Sequence, residues 1–245
     1  MQDSYTFSPV AVMKSCFKAK FGIPRQPGLV PEAKGTIEFI PPFNQPNVVR
    51  GLEAFSHVWV LFVFDRNIRE NWKATVRPPR LGGDRRVGVF ASRSPFRPSP
   101  IGLSVLKLNE VVCRNGRVYL EVEGMDILDG TPILDVKPYI PYCDSIPDAV
   151  GGYADSEPPV QLEVRFTEEA GEKCRLLENG IPGFRPLVEK LLRTNPRPAY
   201  QDELGRKYGI FLYGYEVEFT VEGDVALVLD IRDARDVAAG GYSHE

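Results

Sequence analysis

The sequence predicts a mainly β protein: an antiparallel barrel over residues 1–152, followed by a small α+β unit over residues 160–235. Three observations carry that expectation. The 22 prolines and 22 glycines are scattered along the chain as punctuation, which suits many short strands better than long helices. Hydrophobic residues at 43% and charged residues at 26% lie in the globular range and exclude a disordered or fibrous chain. The apolar runs are strand-sized, and the longest, residues 58–64, falls far short of the roughly 20 residues that span a bilayer.

Taken in order, strands are expected over residues 10–13, 35–40, 56–64, 87–91, 102–112 and 118–123. Asn115-Gly116 between the last two is the preferred dipeptide of a tight hairpin. Val118, Leu120 and Val122 alternate with Tyr119, Glu121 and Glu123, the pattern of a strand with one dry face. Residues 58–64 lack alternation and read as a strand buried on both faces. Residues 153–159, ending in Pro158-Pro159, read as a linker. Beyond it a strand is expected over 160–166. Thr167 then caps a helix whose first turn carries Glu168 and Glu169. Leu187, Val188, Leu191 and Leu192 mark a second short helix, and Glu222-Gly223-Asp224 turns a closing hairpin.

Several function classes drop out. Met1-Gln2-Asp3-Ser4-Tyr5 has neither a basic nor an apolar leader region, so no secretory signal is expected. Cys16, Cys113, Cys143 and Cys174 are widely spaced, without C-x-x-C, and are expected as free thiols of a cytoplasmic protein. The histidines are His57 and His244 alone, too few for a His-rich metal site, and no metal is expected. His57, beside an apolar strand, reads first as a satisfied core histidine. No two glycines stand at G-x-G spacing, and neither the G-x-x-x-x-G-K-[ST] phosphate loop nor the G-x-S-x-G elbow occurs. A nucleotide-like cofactor would have to bind without those devices.

The net charge of −3 argues against nucleic acid, but it hides an asymmetry. Residues 66–107 hold Arg66, Arg69, Lys73, Arg77, Arg80, Arg85, Arg86, Arg93, Arg97 and Lys107 against only Glu70 and Asp84, a local charge of +8 that leaves −11 elsewhere. Two readings fit: a solvated loop whose arginines pair with distant acids, or a face for a polyanion. The bias to arginine, the interleaved Trp72 and Phe96, and the acidic remainder favour the second. Pro78-Pro79, Pro95, Pro98 and Pro100 stiffen this segment. Pro24-Arg25-Gln26-Pro27-Gly28 and Asp126-Ile127-Leu128-Asp129-Gly130-Thr131-Pro132 read as two further rigid turns.

Together with Gly51-Leu52-Glu53-Ala54-Phe55-Ser56-His57, Val76-Arg77-Pro78-Pro79, Gly88-Val89-Phe90-Ala91-Ser92-Arg93-Ser94-Pro95, Arg97-Pro98-Ser99-Pro100-Ile101-Gly102 and Pro196-Arg197-Pro198-Ala199-Tyr200, these turns resemble, in order, the TsaA-like, TrmO-type tRNA methyltransferases. The resemblance covers essentially the whole chain. It implies a single-sheet β-barrel enzyme that uses S-adenosyl-L-methionine (SAM), works as a homodimer, and N-methylates threonylcarbamoyladenosine at position 37 of the tRNA anticodon stem-loop. It also implies a cofactor site of Pro24, Arg25, Gln26, Asp65, Arg66, Arg93, Leu103, Leu128, Asp129, Gly130 and Thr131. Asp65, Asp129 and Tyr200 are the catalytic candidates, with the base unassigned. Arg77, Arg80, Arg85, Arg86, Phe96, Arg97 and Arg197 are the candidates for RNA and substrate. Asp65 stands where many members carry histidine, and Asn195 where an acid commonly precedes the Pro-Arg-Pro-Ala-Tyr motif. Two alternatives remain at this point: an RNA-binding barrel without catalysis, and a SAM enzyme with another substrate.

Overall fold

In a computed structural model that describes residues 4–156, 162–197 and 205–239, the N-terminal half closes into a six-stranded barrel. β1 (Ala11–Ser15), β2 (Lys34–Phe39), β3 (His57–Val63), β6 (Ile101–Arg114), β7 (Arg117–Glu123) and β8 (Pro132–Pro138) pair in the order β1-β2-β7-β6-β3-β8 and back to β1. Every pair is antiparallel. Closure leaves no free sheet edge, which is the usual answer to edge-strand aggregation. Alternation sets the interior: Ala11, Met13, Ile37, Val58, Val60, Phe62, Leu106, Leu120, Val122 and Ile133 are all buried in one apolar core. The β6–β7 hairpin turns on Asn115 (φ 52°) and Gly116 (φ 73°), the two left-handed positions that a tight turn of this hand needs.

A small arm leaves the barrel between β3 and β6. There β4 (Thr75–Val76) pairs with β5 (Val87–Gly88), and nothing more of the segment is strand. The strand expected over 87–91 therefore stops at Gly88, and Val89–Ala91 forms a 3₁₀ turn with Phe90 exposed. β3 also departs from expectation. Val58, Val60 and Phe62 face the core, whereas His57, Trp59, Leu61 and Val63 are half-buried on the outer side. β8 was hidden from the sequence by its terminal prolines. Pro132 and Pro138 sit at the strand ends, the places where proline is tolerated, and the strand between them completes the barrel.

After the short helix α1 (Pro141–Asp144), β9 (Glu163–Phe166), α2 (Glu168–Leu177), α3 (Phe184–Arg193), β10 (Lys207–Leu212), β11 (Tyr215–Glu222), β12 (Val225–Asp233) and α4 (Ala234–Ala239) follow, and the second sheet runs β10-β11-β12-β9. Thr167 caps α2 as expected, its Oγ1 accepting from the Ala170 N–H at 3.2 Å. Leu187, Val188, Leu191 and Leu192 form the buried stripe of α3. Asn195 follows α3 in a left-handed conformation (φ 49°), one that Asn accepts more readily than most residues, and its Oδ1 accepts from Arg197 Nε at 3.0 Å.

The two sheets are joined through the chain after β1. The Lys18 N–H donates to the Phe211 carbonyl (3.1 Å) and the Tyr213 N–H to the Cys16 carbonyl (2.9 Å), so residues 16–18 run along the outer edge of β10. Gly22 packs so closely on Ile210 that a Cβ there would lie 2.7 Å from its side chain, at a φ of 90°. The loop that leads into Pro24-Arg25-Gln26 is thus seated on the second sheet.

Candidate active site

A cleft of about 730 Å³ opens at one mouth of the barrel, where four segments converge: the loop after β1, the turn after β3, the loop before β6, and the turn between β7 and β8. Its floor is apolar, with Phe62, Phe64, Ile127 and Leu128. The Phe62 and Phe64 rings meet edge to face, centroids 5.0 Å apart. Phe62 lies directly over Gly102, where a Cβ would come within 2.2 Å of the ring, so only glycine admits this floor. The rim is cationic: Lys20, Arg25, Arg66, Arg93 and Arg97 line it, with the exposed carboxylate of Asp65 among them.

These cations are held. Lys20 Nζ donates to the Arg66 carbonyl (2.7 Å), Arg66 Nη2 to the Asp129 carbonyl (3.4 Å) and Arg93 Nη1 to Gln26 Oε1 (2.5 Å). Arg97 Nη1 donates to the Ser92 carbonyl at 3.1 Å. Ser92 and Ser94 stiffen that loop from within, each hydroxyl accepting a backbone N–H two residues on, from Ser94 and Phe96. From the second unit, the Arg197 carbonyl accepts from Arg25 Nη2 at 3.4 Å.

Of the residues singled out by sequence, the cleft gathers Pro24, Arg25, Gln26, Asp65, Arg66, Arg93, Arg97, Leu103, Leu128 and Thr131. Asp129 and Gly130 stand just behind it. The Asp129 carboxylate is engaged on the far side, accepting from the Ser15 N–H (2.8 Å) and pairing with Lys18 Nζ (3.0 Å). Gly130 (φ 80°) makes the turn beside Arg66. Arg77, Arg80, Arg85 and Arg86 lie on the arm outside the cleft, all exposed. Arg80 reaches Ser156, and Arg86 donates to Thr75 Oγ1 at 3.2 Å. Phe96 is exposed with the Arg69 guanidinium 4.1 Å above its ring. His57 bonds to Ser56 Oγ at 2.9 Å and does not line the cleft. Tyr200 lies outside the described residues.

The sequence reading missed two polar groups on the floor. Ser104, on β6, is buried, and its Oγ donates to Asp126 Oδ1 at 2.6 Å. Burial pushes the Asp126 carboxyl up to about 6, against the pull of the Ser104 hydroxyl and of the Arg93 charge. Among the described residues the buried polar side chains are Ser15, Ser104, Thr131 and Glu216, and two of these line the cleft. Among the described residues no grouping of three or more His, Cys, Asp or Glu could hold a metal ion, and no helix is long and apolar enough to cross a membrane.

Comparison with known proteins agrees with this architecture. The family model of the tRNA-methyltransferase O N-terminal domain matches residues 12–145, and that of the TrmO C-terminal domain matches residues 159–234. The tRNA (adenine(37)-N6)-methyltransferase of Escherichia coli K12 is 46% identical over 221 residues, covering 89% of this chain and 94% of that one. A protein of Pseudomonas aeruginosa PAO1 named a putative S-adenosylmethionine-dependent methyltransferase RcsF is 45% identical over 93% of this chain and 98% of its own. The crystal structure of TrmO from P. aeruginosa superposes with a TM-score of 0.79 at 38% identity, covering 95% of this chain and 99% of that one. With both family models matched in order, the chain belongs to the TrmO family.

Proposed function

We propose that this chain is a SAM-dependent tRNA methyltransferase that places a methyl on N6 of adenosine 37, acting on the threonylcarbamoylated form of that base. The observation that carries the reading is the cleft: its volume suits a nucleoside-sized ligand, and it joins an apolar floor to a braced cationic rim. The family membership and the relatives' names support the reaction.

The residues fit SAM. The apolar floor suits an adenine ring, and the polar atoms of Gln26, Asp65 and Thr131 lie around it. In this reading Pro24, Arg25, Gln26, Asp65, Arg66, Arg93, Leu103, Leu128 and Thr131 hold the cofactor, and Asp129 and Gly130 shape the turn behind it. Bound there, SAM supplies a methyl activated by a sulfonium. The protein's part is to hold N6 in line with that methyl at about 3 Å, an effect of orientation that can supply several kcal/mol of the barrier. Arg93, Arg97 and, from the second unit, Arg197 are cations suited to the threonyl carboxylate. The exposed arginines of the arm suit tRNA phosphates.

The division into a SAM-binding unit (1–152) and a smaller C-terminal unit (160–235) belongs to the same reading, as do a homodimer and a cytoplasmic location. The outward face of β3 and β6 supports a dimer: Ile101 and Leu103, 43% and 52% exposed, continue the half-buried strip of Trp59, Leu61 and Val63, so a partner seated there would border the cleft that Trp59, Val63, Ile101 and Leu103 line. Sedimentation at twice the chain mass is the expected outcome. The deciding experiment offers the purified protein methyl-labelled SAM with tRNA from cells that do or do not make threonylcarbamoyladenosine. Label should enter only the modified tRNA. No label in either removes the activity, and equal label in both removes the substrate.

A further inference from the structure

We propose that Asp126 takes the proton from N6 of the target adenine, with Ser104 as its positioning residue. The assignment rests on the reaction proposed above. The chemistry requires such a group, because a carbonyl on N6 delocalises the nitrogen lone pair and the N–H proton has to leave for the nitrogen to react. The geometry narrows the choice. Asp129 turns its carboxylate to Ser15 and Lys18, away from the cleft, and His57 is not part of the cleft wall. Asp65 stands exposed at the rim. Asp126 alone joins the cleft floor with one oxygen fixed: Ser104 Oγ holds Oδ1 at 2.6 Å. Its Oδ2 accepts no hydrogen bond from another residue among those described. A carboxylate pinned by one oxygen presents the other in a defined direction.

The charged groups around it come from three segments: Lys20 and Arg25 after β1, Asp65 and Arg66 after β3, Arg93 and Arg97 before β6. Of these the Arg93 charge, with the Ser104 hydroxyl, favours the ionised form, so that the carboxyl, which burial pushes up to about 6, is ionised at neutral pH. A base titrating near there is ionised at working pH yet basic enough to accept the proton. In the step, the N6–H bond breaks and its proton goes to Asp126 Oδ2. The electron pair left on N6 forms the C–N bond to the methyl. The C–S bond of SAM breaks with its pair leaving on sulfur, which becomes a neutral thioether. The neutral carboxylic acid returns its proton to water.

The test is Asp126→Asn, which keeps an oxygen for Ser104 and removes the basicity. kcat should fall by about 100-fold or more, while SAM affinity by titration calorimetry changes less than about threefold. Wild-type kcat should rise with pH and level off above about 6, and the residual activity of the variant should lack that limb. Ser104→Ala supplies the second arm: without the hydroxyl that steadies the ionised form, the limb should move to higher pH. Circular dichroism of both variants checks the fold. Turnover retained by Asp126→Asn overturns the proposal. So does a loss of SAM affinity equal to the loss of turnover, which would make Asp126 a cofactor anchor, and so does an unmoved limb in Ser104→Ala. A wild type that transfers no methyl to threonylcarbamoylated tRNA overturns the reading of the reaction, and the assignment with it, before any variant is compared.

Discussion

The basic run carries arginines of two kinds. In the cleft, Arg66, Arg93 and Arg97 each donate to a protein oxygen, on Asp129, Gln26 and Ser92. On the arm, Arg77 and Arg85 are exposed and make no hydrogen bond or ion pair among the described residues. A cation fixed in place can aim at one oxyanion; a cation on a free stem adds attraction to any polyanion that comes near. The sequence places both sets in one basic run, and only the fold separates them. Their substitutions should therefore fail in different ways.

The largest contrast is expected at Arg93. Arg93→Ala should lower kcat/KM for tRNA methylation by about 100-fold, as loss of a preorganised charge does, measured by steady-state kinetics. An unchanged rate would erase the distinction between the two sets. The cleft should also be costly to build. Gly102→Ala drives a methyl into the Phe62 ring, and urea denaturation should register a loss of about 1–3 kcal/mol. The Asp126 carboxyl sits at about 6 in the folded protein, above its ordinary range near 4, so the folded state holds that proton more tightly than the unfolded chain. Its burden on stability is then absent below about pH 4, grows as pH rises, and is complete above about 6. Asp126→Asn should accordingly match the wild type in acid and become the more stable protein at pH 7, by on the order of 1–3 kcal/mol. The smallest effect belongs to the arm. Arg77→Gln with Arg85→Gln should leave melting temperature and kcat unchanged, weaken tRNA binding about 3- to 10-fold, and reduce the salt slope of log Kd by about 1–2. A fall in kcat there would bring the arm into the catalytic machinery.

How much of this was legible depends on the distance over which each signal acts. Asn115-Gly116, Thr167 and the stripe of Leu187, Val188, Leu191 and Leu192 act within a turn or two, and each appears where the sequence puts it. Segments rich in proline were harder. No strand is expected from Pro132 to Pro138, because a single sequence cannot tell a proline at a strand's end from one in its interior. Val87 to Ala91 has the right composition for a strand but finds a partner for only two residues. In the site, the rim could be read because charge is a property of the residue. Asp126 could not: its neighbours Ile127, Leu128 and Asp129-Gly130 spell a turn, and its partner Ser104 stands 22 positions away. What sets Asp126 apart from Asp129 is burial and orientation, and both arise only once the fold brings Ser104 of β6 against it.

The edge pairing of residues 16–18 on β10 has a mechanical meaning. Gly22 leans on Ile210 and Arg25 on the Arg197 carbonyl, so the Pro24-Arg25-Gln26 loop takes its footing from the C-terminal unit. The barrel is closed without that sheet, but its mouth is not complete. Excising the first half as a free-standing catalyst would leave a sound cylinder with a slack lip, and transplanting the second half onto another barrel would tune how that lip is held.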